Sequence, residues 1–257
     1  KKGSIDEIVY EKCSSLLDKS LIVIAQQKKE VLKKIKKNIS KNKSKKIIFG
    51  QDYNYKKIIK GFIYSDKISK MNLPLPNLSG DFQISNVSTA IATVKSLKQF
   101  NITEKHIGKA IRNIKSEGRL QSITRGKLRQ YVSKNNQILI DGAHNPLAAF
   151  EVKKYLKNLD NKKKIIMVLG MMSNKDHKKF IGIFKDSVHS IVTLDIPNQI
   201  NFINKDKLSK IARSCGVQSK TENTIQSALK NISKQDANAL IFCTGSLYFA
   251  GEILNLN

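Results

Sequence analysis

Gln137-Ile138-Leu139-Ile140-Asp141-Gly142-Ala143-His144-Asn145-Pro146 is the stretch on which the reading of this chain turns. The apolar run Ile138–Ile140 predicts a buried strand. A strand-to-helix turn follows it. Gly142 and Ala143 allow close backbone approach, Asn145 stands where a helix cap belongs, and Pro146 suits a first helical turn. The helix itself is predicted over 147–157. A carboxylate, an imidazole and an amide therefore gather in five positions just past a buried strand. In open α/β sheets, ligands bind outside the carboxyl ends of the strands. The plain alternative is a tight turn with a capping Asn, and a lone histidine is more often a satisfied structural group than a catalyst.

Outward from this turn the same alternation continues. Strands are predicted at 165–169, 190–194, 216–219 and 239–243, and helices at 176–185, 205–214, 221–232 and 246–255. This order implies a mostly parallel sheet with right-handed crossovers. The residues after successive strands are Gly170-Met171-Met172-Ser173-Asn174-Lys175-Asp176, then Asp195, then Thr244-Gly245-Ser246. Small, polar and charged residues thus collect on one rim. Ser246 is a candidate anion contact at a helix N-terminus, or only the first turn of that helix.

Upstream, a helix is predicted over 4–17, with Ser4 and Glu7 spaced as a capping box. Strands at 21–25 and 47–49 flank an amphipathic helix at 28–41, an order that fits the last units of another α/β sheet. Residues 51–80 carry short tyrosine-rich β-like pieces, then Pro74 and Pro76, and read as an edge hairpin and a linker. Helices follow at 84–98 and 103–113. The expected division is 1–75, 76–125 as a helical segment and interdomain linker, and 126–257. Gln83 and Asn86 open the first of these helices, where capping is the simple reading. Arg119 follows Gly118, and a surface arginine is its default.

The chain has 257 residues, 47 basic against 20 acidic, a net charge of +27. Charge of this sign favours anionic ligands. Nucleic-acid binding is the sharp reading, but only five basic residues are Arg, the residue that phosphate and base recognition favours, and the lysines are spread over helix faces. Lys, Asn and Ile share AT-rich codons, so a biased genome accounts for them. No apolar run approaches a membrane span, and no apolar segment follows the basic start Lys1-Lys2-Gly3 to make a signal peptide. Because that start reads as the inside of a domain, the chain is taken as a fragment. Three cysteines, Cys13, Cys215 and Cys243, form no CxxC and no disulfide framework. Cys215 and Cys243 read as buried thiols, and a reducing, cytoplasmic setting is expected.

Gly118-Arg119-Leu120-Gln121, Asp141–Pro146, Gly170-Met171 with Lys175-Asp176, and Thr244-Gly245-Ser246-Leu247-Tyr248 together resemble the C-terminal domain of folylpolyglutamate synthase/dihydrofolate synthase, in the Mur ligase superfamily. Leu78–Gln83 with Asn86 is similar to the family's segment that enters the C-terminal side of its central domain. The stretch Ser4–Ile8 with Glu11-Lys12 is similar to the surroundings of its carbamylated lysine. Two departures stand out: Cys13-Ser14 replaces the family's Ala-Gly, and Ser116-Glu117 replaces its Trp-Pro. The resemblance implies the end of a central ATPase domain followed by a Rossmann-like C-terminal domain that closes over ATP. It implies ATP-dependent ligation of glutamate to folate, and to dihydropteroate, through an acyl phosphate.

The resemblance also implies roles for single residues. Asn86, Arg119 and Asp141 are matched to the nucleotide, Arg119 to its phosphates and Asp141 to its ribose. His144 is matched to the reacting phosphate, and Lys12, as a carbamate, to a Mg²⁺ ion. Gln83, Asn145, Lys175 and Ser246 are candidate substrate or phosphate contacts. A plain surface lysine is the alternative for Lys12. By analogy a monomer is expected, with small-molecule substrates and no membrane partner. A different Mur-type ligase, acting on a cell-wall peptide precursor, is the rival reading. No Gly-x-x-x-x-Gly-Lys-Ser/Thr phosphate loop occurs in the sequence, so the chain by itself is expected to be inactive.

Overall fold

The computed structural model describes residues 4–159 and 163–257; the basic start Lys1–Gly3 lies outside them. The chain divides into two compact units. One comprises residues up to Asn77 together with Asp81–Lys115, the other Leu78–Gly80 with Ser116–Asn257.

In the first unit, helix α1 (Ile5–Ser14) begins at Ser4, whose side chain accepts from the Glu7 amide while Glu7 reaches back to the Ser4 amide. Strands β1 (Leu21–Ile24) and β2 (Lys45–Ile48) pair in parallel around helix α2 (Lys29–Asn38). The period-2 alternation of a strand divides their side chains between two cores. Ile22, Ile24 and Ile48 pack with Ile39 and with Cys13, Leu16, Leu32 and Ile35. Val23 and Ile47 face a second cluster built on Phe62, Tyr64, Leu73, Ile84, Ile91 and Ile111.

Residues 51–80, expected as an edge hairpin and linker, form more than that. β3 (Tyr53–Ile58), β4 (Gly61–Asp66) and β5 (Lys70–Pro74) make a three-stranded antiparallel sheet in that order. Helices α3 (Phe82–Val94) and α4 (Glu104–Asn113), expected in a segment between domains, bury Ile84, Val87, Ile91, Ile107 and Ile111 in the core shared with this sheet. Apolar burial therefore assigns the two helices to the first unit.

The second unit holds a six-stranded sheet of order β10-β9-β8-β11-β7-β6. Its parallel strands are β7 (Gln137–Ile140), β8 (Ile165–Leu169), β9 (Ser190–Thr193), β10 (Ser219–Thr221) and β11 (Leu240–Thr244). The two-residue β6 (Gln121–Ser122), not anticipated from the sequence, pairs antiparallel with β7. Helices α5 (Pro146–Lys157), α6 (His177–Phe184), α7 (Lys205–Ser214), α8 (Ile225–Gln235) and α9 (Leu247–Asn255) cover the sheet. They do so on both faces. Phe242 of β11 meets Phe184 of α6, with centroids 6.0 Å apart. Its neighbours Ile241 and Cys243 join the cluster formed with α8 and α9. Every residue of β11 is buried, as a central parallel strand requires.

Three expectations need correction here. β10 lies at 219–221 rather than 216–219, because Gly216, at φ 79°, and Val217 still close the end of α7 onto Arg213 and Ala212. α8 starts at Ile225, not 221, because Thr224 caps it in a capping box with Ser227. Cys215 is half-buried like Cys13, and only Cys243 is fully enclosed.

Candidate functional site

β11 returns between β7 and β8, so the loops after β7, β8 and β11 meet at the carboxyl edge of the sheet. Their backbones interlock. The Asp141 amide donates to Cys243 O at 2.9 Å, Gly245 to Ala143 O at 3.0 Å, and Gly170 to Thr244 O at 3.2 Å. The approach is close enough to require glycine. A Cβ on Gly142 would run into Leu247, and one on Gly170 into the Phe249 ring at 2.9 Å. Gly245, at φ 112°, has a conformation that L side chains rarely adopt.

A cleft of about 800 Å³ opens on this edge, lined by residues that include His144, Ser173, Lys175, Asn201, Ser246 and Tyr248. The structure thus brings together three residues singled out from separate loops: His144, Lys175 and Ser246. The His144 Nδ1 lies 2.9 Å from Gly142 O. A carbonyl only accepts, so Nδ1 carries the proton and Nε2 is the nitrogen available to a ligand. Lys175 is half-buried and has no ion pair among the described residues. Ser246 is buried and caps α9, accepting from the Tyr248 amide at 3.1 Å. Asn145 is exposed and caps α5, accepting from the Ala148 amide at 2.9 Å, with Pro146 next. The two helix N-termini bring unpaired backbone donors and positive partial charge to this edge.

Asp141 faces inward rather than into the cleft. It is buried; Oδ2 accepts from the Leu120 amide at 2.9 Å and Oδ1 from the Ala143 amide at 2.8 Å. Burial raises its pKa. The two amide hydrogen bonds and the charges of Arg119 and His144 pull the other way without cancelling that rise. Arg119 is half-buried, and its guanidinium makes no hydrogen bond or ion pair among the described residues.

Lys12, Gln83 and Asn86 belong to the other unit. Lys12 is exposed in the last turn of α1, 2.8 Å from Glu11, and its hydrogen bond and then its charge lower the Glu11 pKa. Gln83 and Asn86 do not cap α3, whose N-cap is Asp81. They bond each other instead: Asn86 Nδ2 donates to the buried Gln83 Oε1 at 3.0 Å. Among the described residues, no group of three or more His, Cys, Asp or Glu comes together as a metal site.

Asn201 and Tyr248 line the cleft without having been singled out. Tyr248 was legible within Thr244–Tyr248. Asn201 lies on the loop after β9, where attention fell on Asp195. That carboxylate is used locally, accepting from the Lys205 amide at 2.7 Å. The loop reaches the cleft because the Ser173 amide donates to Asn201 O and Ile203 to Met171 O.

The cleft lies at the carboxyl edge of a doubly wound sheet, the place where α/β domains of this class bind their ligands. Residues 124–256, just over half of the chain, match the family described as "Dihydrofolate synthetase, C-terminal domain", and the chain belongs to that family. It is 28% identical over 239 residues to the dihydrofolate synthase/folylpolyglutamate synthase of Buchnera aphidicola subsp. Acyrthosiphon pisum, covering 92% of this chain and 51% of that one. Two solved structures share the fold. One is Mycobacterium tuberculosis folylpolyglutamate synthase complexed with ADP and AMPPCP, with a TM-score of 0.78 and 18% identity, covering 100% of this chain and 60% of that one. The other is E. coli FolC in complex with DHPP and ADP, with a TM-score of 0.77 and 18% identity, covering 97% and 56%. The chain spans about half the length of the curated relatives it matches. No helix among the described residues is long and apolar enough to cross a membrane.

Proposed function

We propose that this chain is the C-terminal part of an ATP-dependent, ADP-forming ligase that joins L-glutamate to folate and to dihydropteroate. Residues up to 75 then end its central ATPase domain. The observation that carries this reading is the cleft where His144, Lys175 and Ser246 meet, inside the domain matched to the dihydrofolate synthetase family.

A carboxylate is a poor electrophile. Transfer of a phosphoryl group from ATP to one of its oxygens makes an acyl phosphate and leaves ADP. The glutamate amine then attacks the carbonyl carbon, the C–O bond to phosphate breaks, and the amine gives up a proton as the amide forms. Charge is crowded throughout, and positioned cations and donors stabilise it. Arg119 and Lys175, both half-buried and in no ion pair among the described residues, fit a polyanion. Arg119 and Asn86 are assigned to the nucleotide, together with Asp141. Gln83 and the helix caps Asn145 and Ser246 are assigned to substrate or phosphate. His144, whose Nδ1 is engaged by Gly142 O and leaves Nε2 available, is assigned to the reacting phosphate on the resemblance to the family.

Mg²⁺ supplies charge neutralisation when bound with the nucleotide. The one ligand assigned to it here is Lys12 as a carbamate, which converts a cation into oxygen ligands; no step is derived through the ion. The protein is taken as a cytoplasmic monomer without a nucleic-acid partner.

The test is ADP release by the full-length protein with dihydropteroate or tetrahydrofolate, each with and without glutamate, beside a UDP-linked peptide precursor with its amino acid. Glutamate-dependent turnover of a pteroate or folate is expected. Turnover with the UDP-linked precursor alone would establish the cell-wall ligase instead.

A further inference from the structure

A further cavity lies at the other end of the same sheet. It holds about 510 Å³ and opens at the amino edge, where β7 and β11 begin and α5 ends. That size suits a small molecule. Leu139, Leu159 and Leu240 give the lining an apolar part, and no acidic side chain among the described residues belongs to it. Ser122, Thr124 and Tyr155 line it as well, and their hydroxyls make no hydrogen bond among the described residues.

The charged part of the lining is cationic: Arg129 and Lys134. Arg129 is half-buried, and backbone carbonyls fix its guanidinium. Nη1 donates to Asn136 O at 3.0 Å, and Nη2 donates to Ser133 O at 3.0 Å and to Lys134 O at 3.4 Å. These carbonyls orient the fork without neutralising it, and it has more N–H groups than they occupy. Neither Arg129 nor Lys134 is in an ion pair among the described residues. The carboxyl end of α5 brings partial negative charge to this edge, and Lys157 in its last turn offsets it. The strand edge adds donors. The Ile123 amide turns inward to Ile138 O at 2.9 Å. In an antiparallel pair the alternate residues turn their backbone groups outward, so Ser122 and Thr124 present theirs on the open side of β6, the last strand of the sheet.

We propose that this cavity is a ligand site separate from the cleft, for a small aromatic carboxylate of one or two rings. Lys134 and Arg129 take the carboxylate, with donors from the β6 edge and the hydroxyls beside it. The ring lies on Leu139, Leu159 and Leu240, next to Tyr155. An anion with an apolar body fits both halves of the lining; a cation meets Arg129 and Lys134, and a purely apolar ligand leaves them desolvated without a partner.

The probes are indole-3-acetate and its neutral twin indole-3-acetamide, titrated by calorimetry into the full-length protein and into its Lys134→Glu, Arg129→Ala and His144→Ala variants. Each variant is first shown to be folded by its thermal unfolding. Lys134 is exposed and its side chain bonds nothing among the described residues, so Lys134→Glu keeps the test open if Arg129→Ala does not fold. The unaltered protein is expected to bind the carboxylate with a Kd at or below about 1 mM and the amide about tenfold more weakly. Lys134→Glu and Arg129→Ala are each expected to weaken the carboxylate about tenfold and to leave the amide unchanged. His144→Ala is expected to change neither. No saturable binding of the carboxylate, equal affinity for the two probes, or indifference to Lys134→Glu would overturn the proposal. Loss of binding in His144→Ala would overturn it too, by placing the probe in the cleft. The readout is binding at the amino edge, so its failure leaves the ligase reading untouched.

Discussion

Asp66 accepts from the Lys95 ammonium and from the backbone amides of Ile68 and Ser69, and Lys95 also donates to Ser69 Oγ and lies 5.5 Å from the Tyr64 ring centre. Burial raises the Asp66 pKa, but the Lys95 bond, the two amides and the Lys95 charge outweigh it, and the net shift is downward. A carboxylate whose folded pKa is depressed adds stability above its unfolded value, and that stability is lost as pH falls through the folded value. Lys95→Met removes the strongest opposing cause. Thermal unfolding midpoints between about pH 2 and about pH 7 are expected to fall less with acid in this variant, so that its deficit against the parent closes at low pH, where Asp66 is protonated in both. At neutral pH its stability should be lower by about 1–3 kcal/mol, as for a charged partner left unmatched in a part-buried site. Coincident pH profiles for variant and parent would contradict the assignment. Cys243 makes a second prediction at this scale. Full burial pushes its thiol up to about 12, so native protein treated with iodoacetamide near neutral pH should carry no adduct there. Cys13 and Cys215, each half-buried, remain open to the reagent. Mass spectrometry that found Cys243 modified without unfolding would count against the core described here.

Between residue and domain stand the turns. The turn after β7 was the most legible element in the sequence, because Asn145 and Pro146 mark a helix start by local chemistry alone, and the structure uses both as expected. Asn145→Ala should cost about 1 kcal/mol through loss of the cap to Ala148, read as a shift in the denaturant midpoint; no shift would mean that the cap bond is not formed. Gly142→Ala should cost about 1–3 kcal/mol, since its methyl group meets the Leu247 side chain. What was not legible lies where local chemistry is silent. β6 has two residues, too few for any periodicity. The start of α8 was misplaced because Thr221 and Thr224 suit a strand and a cap equally well, and only the pairing of β10 with β9 separates them. The β3–β5 sheet was read as a hairpin because its third strand runs into Pro74, which breaks the pattern but ends the strand rather than excluding it. The cleft shows the same limit: His144, Lys175 and Ser246 stand beside strand ends and could be named from sequence, whereas Asn201 arrives by a tertiary bridge that no spacing announces.

At the scale of the whole chain, two units with separate cores carry the candidate residues, Lys12, Gln83 and Asn86 in one and Arg119, Asp141, His144, Asn145, Lys175 and Ser246 in the other. The net charge of +27 supplies a field that favours anionic substrates without specifying one. Charge alone gives no specificity, and the central proposal is that the cleft takes part in catalysis. The measurement that tests it most directly is glutamate-dependent ADP release by the full-length protein and its His144→Ala variant, with ATP binding measured in parallel. The account predicts kcat lower by about 10²-fold or more, on the scale of a lost group at the reacting atoms, with ATP still bound. Unchanged kcat in a folded His144→Ala protein would contradict it and move the chemistry away from this cleft.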